Sequence, residues 1–168
     1  LAREDVSSWQ GYLRAHQNRR AYFREVGGAT ATDHGHPSAA TADLSTADTE
    51  RLYTRVRSGD CTAAEAELFR AQMLTEMARM SIDDGMTLQI HPGVHRNHNA
   101  TVMRRFGRDK GADIPMATDF VGALHPLLSR YGSDPRLTVI GEGAGLRHFQ
   151  MCAVSAAEMR AALDHAAA

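Results

Sequence analysis

Apolar residues recur at three- and four-residue intervals along several stretches of this chain and gather elsewhere into short, β-branched runs. From about Val6 to Val26, the residues Trp9, Tyr12, Leu13, Tyr22 and Phe23 fall at spacings compatible with one helical face. Asp5, Ser7 or Ser8 can cap this helix, and Gly27-Gly28 ends it. A second helix starts at Ser45 and stops near Ser58-Gly59. A third carries the fuller start signal, a T-x-x-E box of Thr62 and Glu65, followed by a core stripe of Phe69, Met73, Met77 and Met80 that closes at Asp83-Asp84-Gly85. A fourth runs from about Thr118 to Tyr131, where Pro126 predicts a kink or a late start. Ser155 and Glu158 open an alanine-rich helix in the tail. Between these lie three strand candidates, 29-ATATD-33, 86-MTLQIH-91 and 136-RLTVI-140, with the segments after the first two reading as loops.

Strands separated by helices long enough to cross over predict a parallel sheet in an α/β fold. The chain's 168 residues suffice for one domain with a single core. They fall short of a complete (β/α)₈ barrel, which takes about 250 residues. A net charge of −1 gives no field to recruit nucleic acid or anionic lipid. No apolar run reaches the roughly 20 residues of a membrane span, and the amino end lacks the pattern of a signal peptide. A cytoplasmic protein is the expectation. Cys61 and Cys152, far apart in a methionine-rich chain, are expected to be buried free thiols.

Histidine changes this ordinary picture. The chain has 9 histidines, and five cluster in 33-DHGH-36 and 91-HPGVHRNH-98. Both clusters follow predicted strands, and parallel α/β folds bind ligands at the carboxyl ends of their strands. His91, His95 and His98 have H-x₃-H-x₂-H spacing, which would align three imidazoles on a helix, but Pro92 and Gly93 argue against a helix there. His91, at the strand end, is the strongest metal-ligand candidate, since neutral imidazole suits zinc, iron or manganese. Arg96 offers a planar fork that grips carboxylates, and Asn97 and Asn99 add groups suited to hydroxyls or to turns. Asp33 and His34 are candidates for a proton-transfer base and its partner. The glycine-rich 141-GEGAG-145 lacks the spacing and the lysine of a phosphate loop.

The stretches 30-TATDHGHPSAATADLS-45, 68-LFRAQMLTEMARMSIDDGMTLQIHPGVHRNHN-99 and 105-RFGRDKGADIPM-116 resemble uronate (glucuronate) isomerase, a divergent member of the metal-dependent amidohydrolase superfamily. The similarity runs from about Trp9 to Ile140, and residues 141–168 diverge. The resemblance implies a partial (β/α)₈ barrel of about three strands within one domain spanning 1–168. It implies interconversion of D-glucuronate and D-fructuronate, and of D-galacturonate and D-tagaturonate, through an enediol. His91 matches a histidine at the family's metal centre, Arg96 an arginine that contacts the sugar acid, and Asp33 the aspartate of the DHG motif.

The family's first-strand H-x-H pair and last-strand Asp-x-Arg have no counterpart here. The divalent metal that the resemblance implies, zinc in first place, is therefore expected to bind weakly or be absent in a fragment that is inactive alone. The partners implied are a uronate sugar and, for the full-length family, a second copy in a homo-oligomer. Two other readings are a metal-dependent hydrolase of the same superfamily and a noncatalytic remnant that only binds.

Overall fold

The computed structural model describes residues 4–111, 114–143 and 146–152, with side chains described as far as Gly141. Helix α1 (Trp9–Gly27) leads to β1 (Ala31–His34), then to α2 (Thr46–Ser58), α3 (Ala63–Asp84) and β2 (Thr87–Ile90). A short excursion follows, made of β3 (Val94–His95), α4 (Ala100–Phe106) and β4 (Ile114–Pro115), before α5 (Phe120–Tyr131), β5 (Thr138–Gly143) and β6 (Leu146–Cys152). The main sheet has the order β1-β2-β5-β6; β1, β2 and β5 are parallel and β6 is antiparallel to β5. The expected α/β class with a parallel three-strand sheet is what the chain forms.

The helices begin and end where local chemistry directs. Ser8 and Ser45 accept the backbone N–H groups of Gly11 and Asp48, and Thr62 and Glu65 cap α3 reciprocally. Gly28, Gly59 and Gly85 close α1, α2 and α3 at φ of 63°, 78° and 75°, a left-handed conformation that side chains disfavour. In β2 the period-two rule is plain: Leu88 and Ile90 are fully buried, whereas Thr87 and Gln89 are half-buried. Val139 of β5 shares the buried face. That face packs with Met73, Met77, Ala78 and Met80 of α3 and with Leu124 and Leu127 of α5. The other face, with Asp33, Gln89 and Ile140 in register across β1, β2 and β5, stays partly open to solvent.

Several expectations need correcting. In α1 the buried residues are Trp9, Gly11, Leu13 and Arg20, while Tyr22 and Phe23 are half exposed and stack under the Arg19 guanidinium. The reason is an ion pair. Arg20 places Nε 2.6 Å and Nη2 2.8 Å from the Asp84 carboxylate and donates a third bond to Ser81, which turns a polar stripe of α1 toward α3. The loop expected after β2 contains α4, a seven-residue helix with no buried residue and hence no apolar period to betray it. Cys61 is free but only partly buried; the side chain of Cys152 and the expected tail helix lie outside the described residues.

Helix α5 starts at Phe120, two residues late, and continues through Pro126. A proline inside a helix removes one N–H and crowds the carbonyl four residues before it. Here Thr41 inserts at the fault. Its hydroxyl donates to the Ala123 carbonyl (2.6 Å) and accepts the Leu127 N–H (3.3 Å), while its own N–H also reaches Ala123 (2.9 Å). Replacing Thr41 by Val keeps the shape but leaves buried polar groups of the helix without the hydroxyl. The expected cost is about 1–3 kcal/mol in urea unfolding, with Thr41→Ser losing less.

Candidate functional site

At the carboxyl ends of β1 and β2 the parallel register sets Asp33 beside Gln89 and His34 beside Ile90. One backbone step further, the His91 N–H donates to the His34 carbonyl at 3.0 Å, continuing the ladder past the strand end. Alternation then puts Asp33 and His91 on the open face, and their side chains meet: His91 Nε2 lies 2.9 Å from Asp33 Oδ2. This hydrogen bond needs a proton on Nε2, because a carboxylate only accepts, so a neutral His91 keeps its lone pair on Nδ1. Solvent reaches 65% of the Asp33 side chain and 31% of that of His91.

Gly35 supports this arrangement and was not singled out by its residue type. A Cβ placed on Gly35 would stand 2.5 Å from His91 Cε1 and 3.1 Å from Nε2, closer than atoms pack. The glycine of the DHG motif is thus a seat for the imidazole, and its position directly after Asp33-His34 is the signal that could have revealed it. Gln89, which shares the open face with Asp33, was also missed, since an isolated glutamine in a strand carries no motif.

His34 points the other way. Its Nε2 is 3.1 Å from the hydroxyl of Thr32, two residues back on the same face of β1. It lines a cavity of about 510 Å³ between α1, β1 and α3, together with Tyr12, His16, His36, Phe69 and Met73. The expected Asp33-His34 partnership is not made, because neighbours on a strand face apart; Asp33 pairs with His91 instead. Burial, reinforced by the charges of His36 and Arg20 and opposed by Asp33, lowers the His34 pKa to about 4. Burial and Arg70 lower His36 against the pull of Glu67, and burial and Arg20 lower His16.

The second histidine cluster disperses. His95 lies in β3, paired with Ile114, and its ring centroid is 6.3 Å from that of His98. Among the described residues no group of three or more His, Cys, Asp or Glu side chains is placed to hold a metal ion, so the H-x₃-H-x₂-H spacing does not translate into one site. Arg96 remains half exposed, with Nη1 3.8 Å from Asp109 Oδ1. Asn97 adopts φ of 58° and accepts the Asp109 N–H at 2.7 Å, and Asn99 caps α4 by accepting the N–H groups of Thr101 and Val102, each at 3.0 Å. The turn-forming alternative for these asparagines is therefore realised at their Oδ1 atoms.

A family model described as glucuronate isomerase (UxaC) matches residues 1–140. The chain is 64% identical over 140 residues to a uronate isomerase of Xanthomonas campestris pv. campestris (strain B100), covering 83% of this chain and 30% of that protein. It is also 64% identical over 140 residues to one of Phenylobacterium zucineum (strain HLK1), with 83% and 29% covered. Among solved structures, a glucuronate isomerase from Caulobacter crescentus superposes with a TM-score of 0.81 at 58% identity, over 84% of this chain and 29% of that one. A uronate isomerase from Thermotoga maritima shares the fold, with a TM-score of 0.74 at 22% identity over 83% and 31%. The chain thus spans about three tenths of the length of these relatives.

Two outcomes follow from the geometry. Gly35→Ala is expected to push the His91 ring away from Asp33, seen by NMR as a change in the His91 imidazole shifts and tautomer with the fold retained. His34 is expected to titrate near pH 4, well below free histidine. A histidine whose folded pKa is depressed stabilises the fold fully above its unfolded value of about 6.5. That contribution is lost as pH falls from there through about 4. Replacing His34 by Gln should remove this part of the acid sensitivity of unfolding.

Proposed function

This chain belongs to the glucuronate isomerase family, and from that premise we propose that it forms three consecutive parallel strands of a (β/α)₈ barrel. Its open sheet face would then line the barrel interior of an enzyme that interconverts D-glucuronate and D-fructuronate. The observation that carries this reading is the Asp33–His91 contact, 2.9 Å long, at the carboxyl ends of adjacent parallel strands and seated on Gly35. In parallel α/β folds that is where ligands bind. Moving a proton between C2 and C1 of a sugar acid through an enediol needs a group that holds and returns a proton near neutral pH. Asp33 orients the imidazole of His91 through their hydrogen bond, and the pair can take and return that proton.

Arg96 is proposed as the clamp for the uronate carboxylate. Its distance from Asp109 and its exposure leave the guanidinium able to form the bidentate pair that a carboxylate favours. Asn97 and Asn99 stand in the same loop, fixed by their backbone bonds, with their amide donors available to sugar hydroxyls. His34, on the helix side of β1, takes no part at the reacting face and serves as a neutral packing group.

The resemblance also implies a divalent metal. Asp33 and His91 supply at most two donors, whereas protein zinc sites use three or four. The described part of the chain does not make such a site by itself, and no step above runs through a metal.

A graft tests the reading. Residues 1–140 replace the matching segment of the Xanthomonas campestris relative, and conversion of glucuronate to fructuronate is followed. The graft is expected to keep activity, Asp33→Asn or His91→Ala within it to lower kcat/KM by about 10²–10⁴, and the 168-residue chain alone to show no turnover. A folded but inactive graft would favour a noncatalytic remnant, and full activity of Arg96→Met would favour a substrate without a free carboxylate.

A further inference from the structure

The family match ends at residue 140, yet the sheet does not. β5 runs on to Gly143, and β6 returns beside it, with Thr138 opposite Cys152, Val139 opposite Met151, Ile140 opposite Gln150 and Gly141 opposite Phe149. Without β6, β5 would be an edge of the parallel sheet, a row of unpaired N–H and C=O groups that another strand can join. We propose that β6 is an edge cap: a strand from outside the family segment that occupies the outer edge of β5 and blocks the addition of a parallel strand there.

The connection explains why this strand arrives first. β6 begins at Leu146, so the turn from β5 is a hairpin, whereas a parallel neighbour would need a crossover of a dozen or more residues. Closing the short loop costs less entropy and forms faster than recruiting a distant strand. The reversal of direction then ends the parallel series, since β6 offers its own outer edge in the wrong sense to prolong it. The register shifts between Gly141 and Gly143, an irregularity of the kind that bends a strand and makes a sheet edge a poor template. Among the described strands, β1 is then left as the uncapped edge of the parallel series. The cap depends on the sheet alone and holds whether or not the isomerase reading does. If that reading also holds, β6 occupies the place of the next barrel strand, and the 168-residue chain is blocked at β5 from accepting the rest of a barrel supplied separately.

Hydrogen exchange on the intact chain, read by mass spectrometry, tests the cap. In the unmodified chain, peptides covering 138–143 and 146–152 are expected to be protected together. Gln150→Pro removes an N–H in the middle of β6, opposite Ile140, without touching residues 1–141. It is expected to raise exchange across 138–143 at least tenfold, while α3 and β2 keep their protection. Unchanged exchange of 138–143 in this variant would overturn the proposal. Should the variant lose protection in α3 as well, the unmodified chain decides. Slow exchange of 146–152 there supports the cap, and exchange at the rate of a free peptide defeats it.

Discussion

Leu88 and Ile90 are both completely withdrawn from water, and the register of the sheet follows from that burial. Each such side chain contributes about 1.5–3 kcal/mol relative to exposure. Slipping β2 by one residue would expose both and drive Gln89 and His91 into the helix layer, where neither would find the solvent or partners it now has. With β2 fixed, the parallel ladder places Asp33 beside Gln89 and leaves His91 one step beyond, on the same side. The contact between Asp33 and His91 is therefore a consequence of two aliphatic residues on the opposite face. The same parity sends His34 into the helix layer, although it is Asp33's neighbour in sequence.

The helix layer holds polar groups too, and each one secures a piece of chain that a purely apolar core would leave loose. Arg20 and Asp84 tie α1 to the end of α3, and Asp84 also accepts the Met86 N–H at the start of the turn into β2. Burial alone would raise the Asp84 pKa, but the hydrogen bond from Arg20, with the Met86 N–H and nearby charge, outweighs it and lowers the value. The segment after the DHG motif is pinned residue by residue. Ser38 donates to Glu67, Thr41 enters the proline fault of α5, the Ala42 N–H reaches the Ala71 carbonyl, and the Leu44 N–H reaches Gln72. Gly35 stands at the head of this segment, so the seat of the His91 ring is anchored from both sides: by the ladder of β1 and by the bonds of the segment that follows.

Features governed by local chemistry were legible in the sequence. The capping box of Thr62 and Glu65, the methionine stripe of α3 and the strand around Leu88 all emerged where their periods place them. Asp33 and His91 were identifiable because both stand at the carboxyl ends of strands the sequence predicts. Which of Asp33 and His34 would face His91 was not legible, because 29-ATATD-33 lacks the apolar alternation that marks an inner face, so parity is imposed by β2 across the ladder. Asn97 and Asn99 look alike as loop amides, and only the fold shows their oxygens accepting backbone N–H groups. The exposure of Tyr22 and Phe23 was hidden for a related reason. Helical spacing reports a face, but an ion pair through Arg20 decided which face turned inward.

These placements separate geometry from environment. The Asp33–His91 hydrogen bond is assembled within this chain, on Gly35, from two adjacent strands and their local supports. Its dielectric surroundings are not, for Asp33 is 65% and His91 31% exposed on a face that no described helix covers. A carboxylate–imidazole pair in water gains little from its charges, since at about 4 Å an interaction of about 4 kcal/mol at an effective dielectric of 20 falls to about 1 kcal/mol in bulk solvent. Preorganised groups accelerate proton transfer most where water is excluded and the dipoles around them cannot relax. The matched segment thus fixes the spacing and orientation of the pair proposed to transfer the proton. Exclusion of solvent must come from whatever covers the open face, a part that the sheet can position but cannot replace.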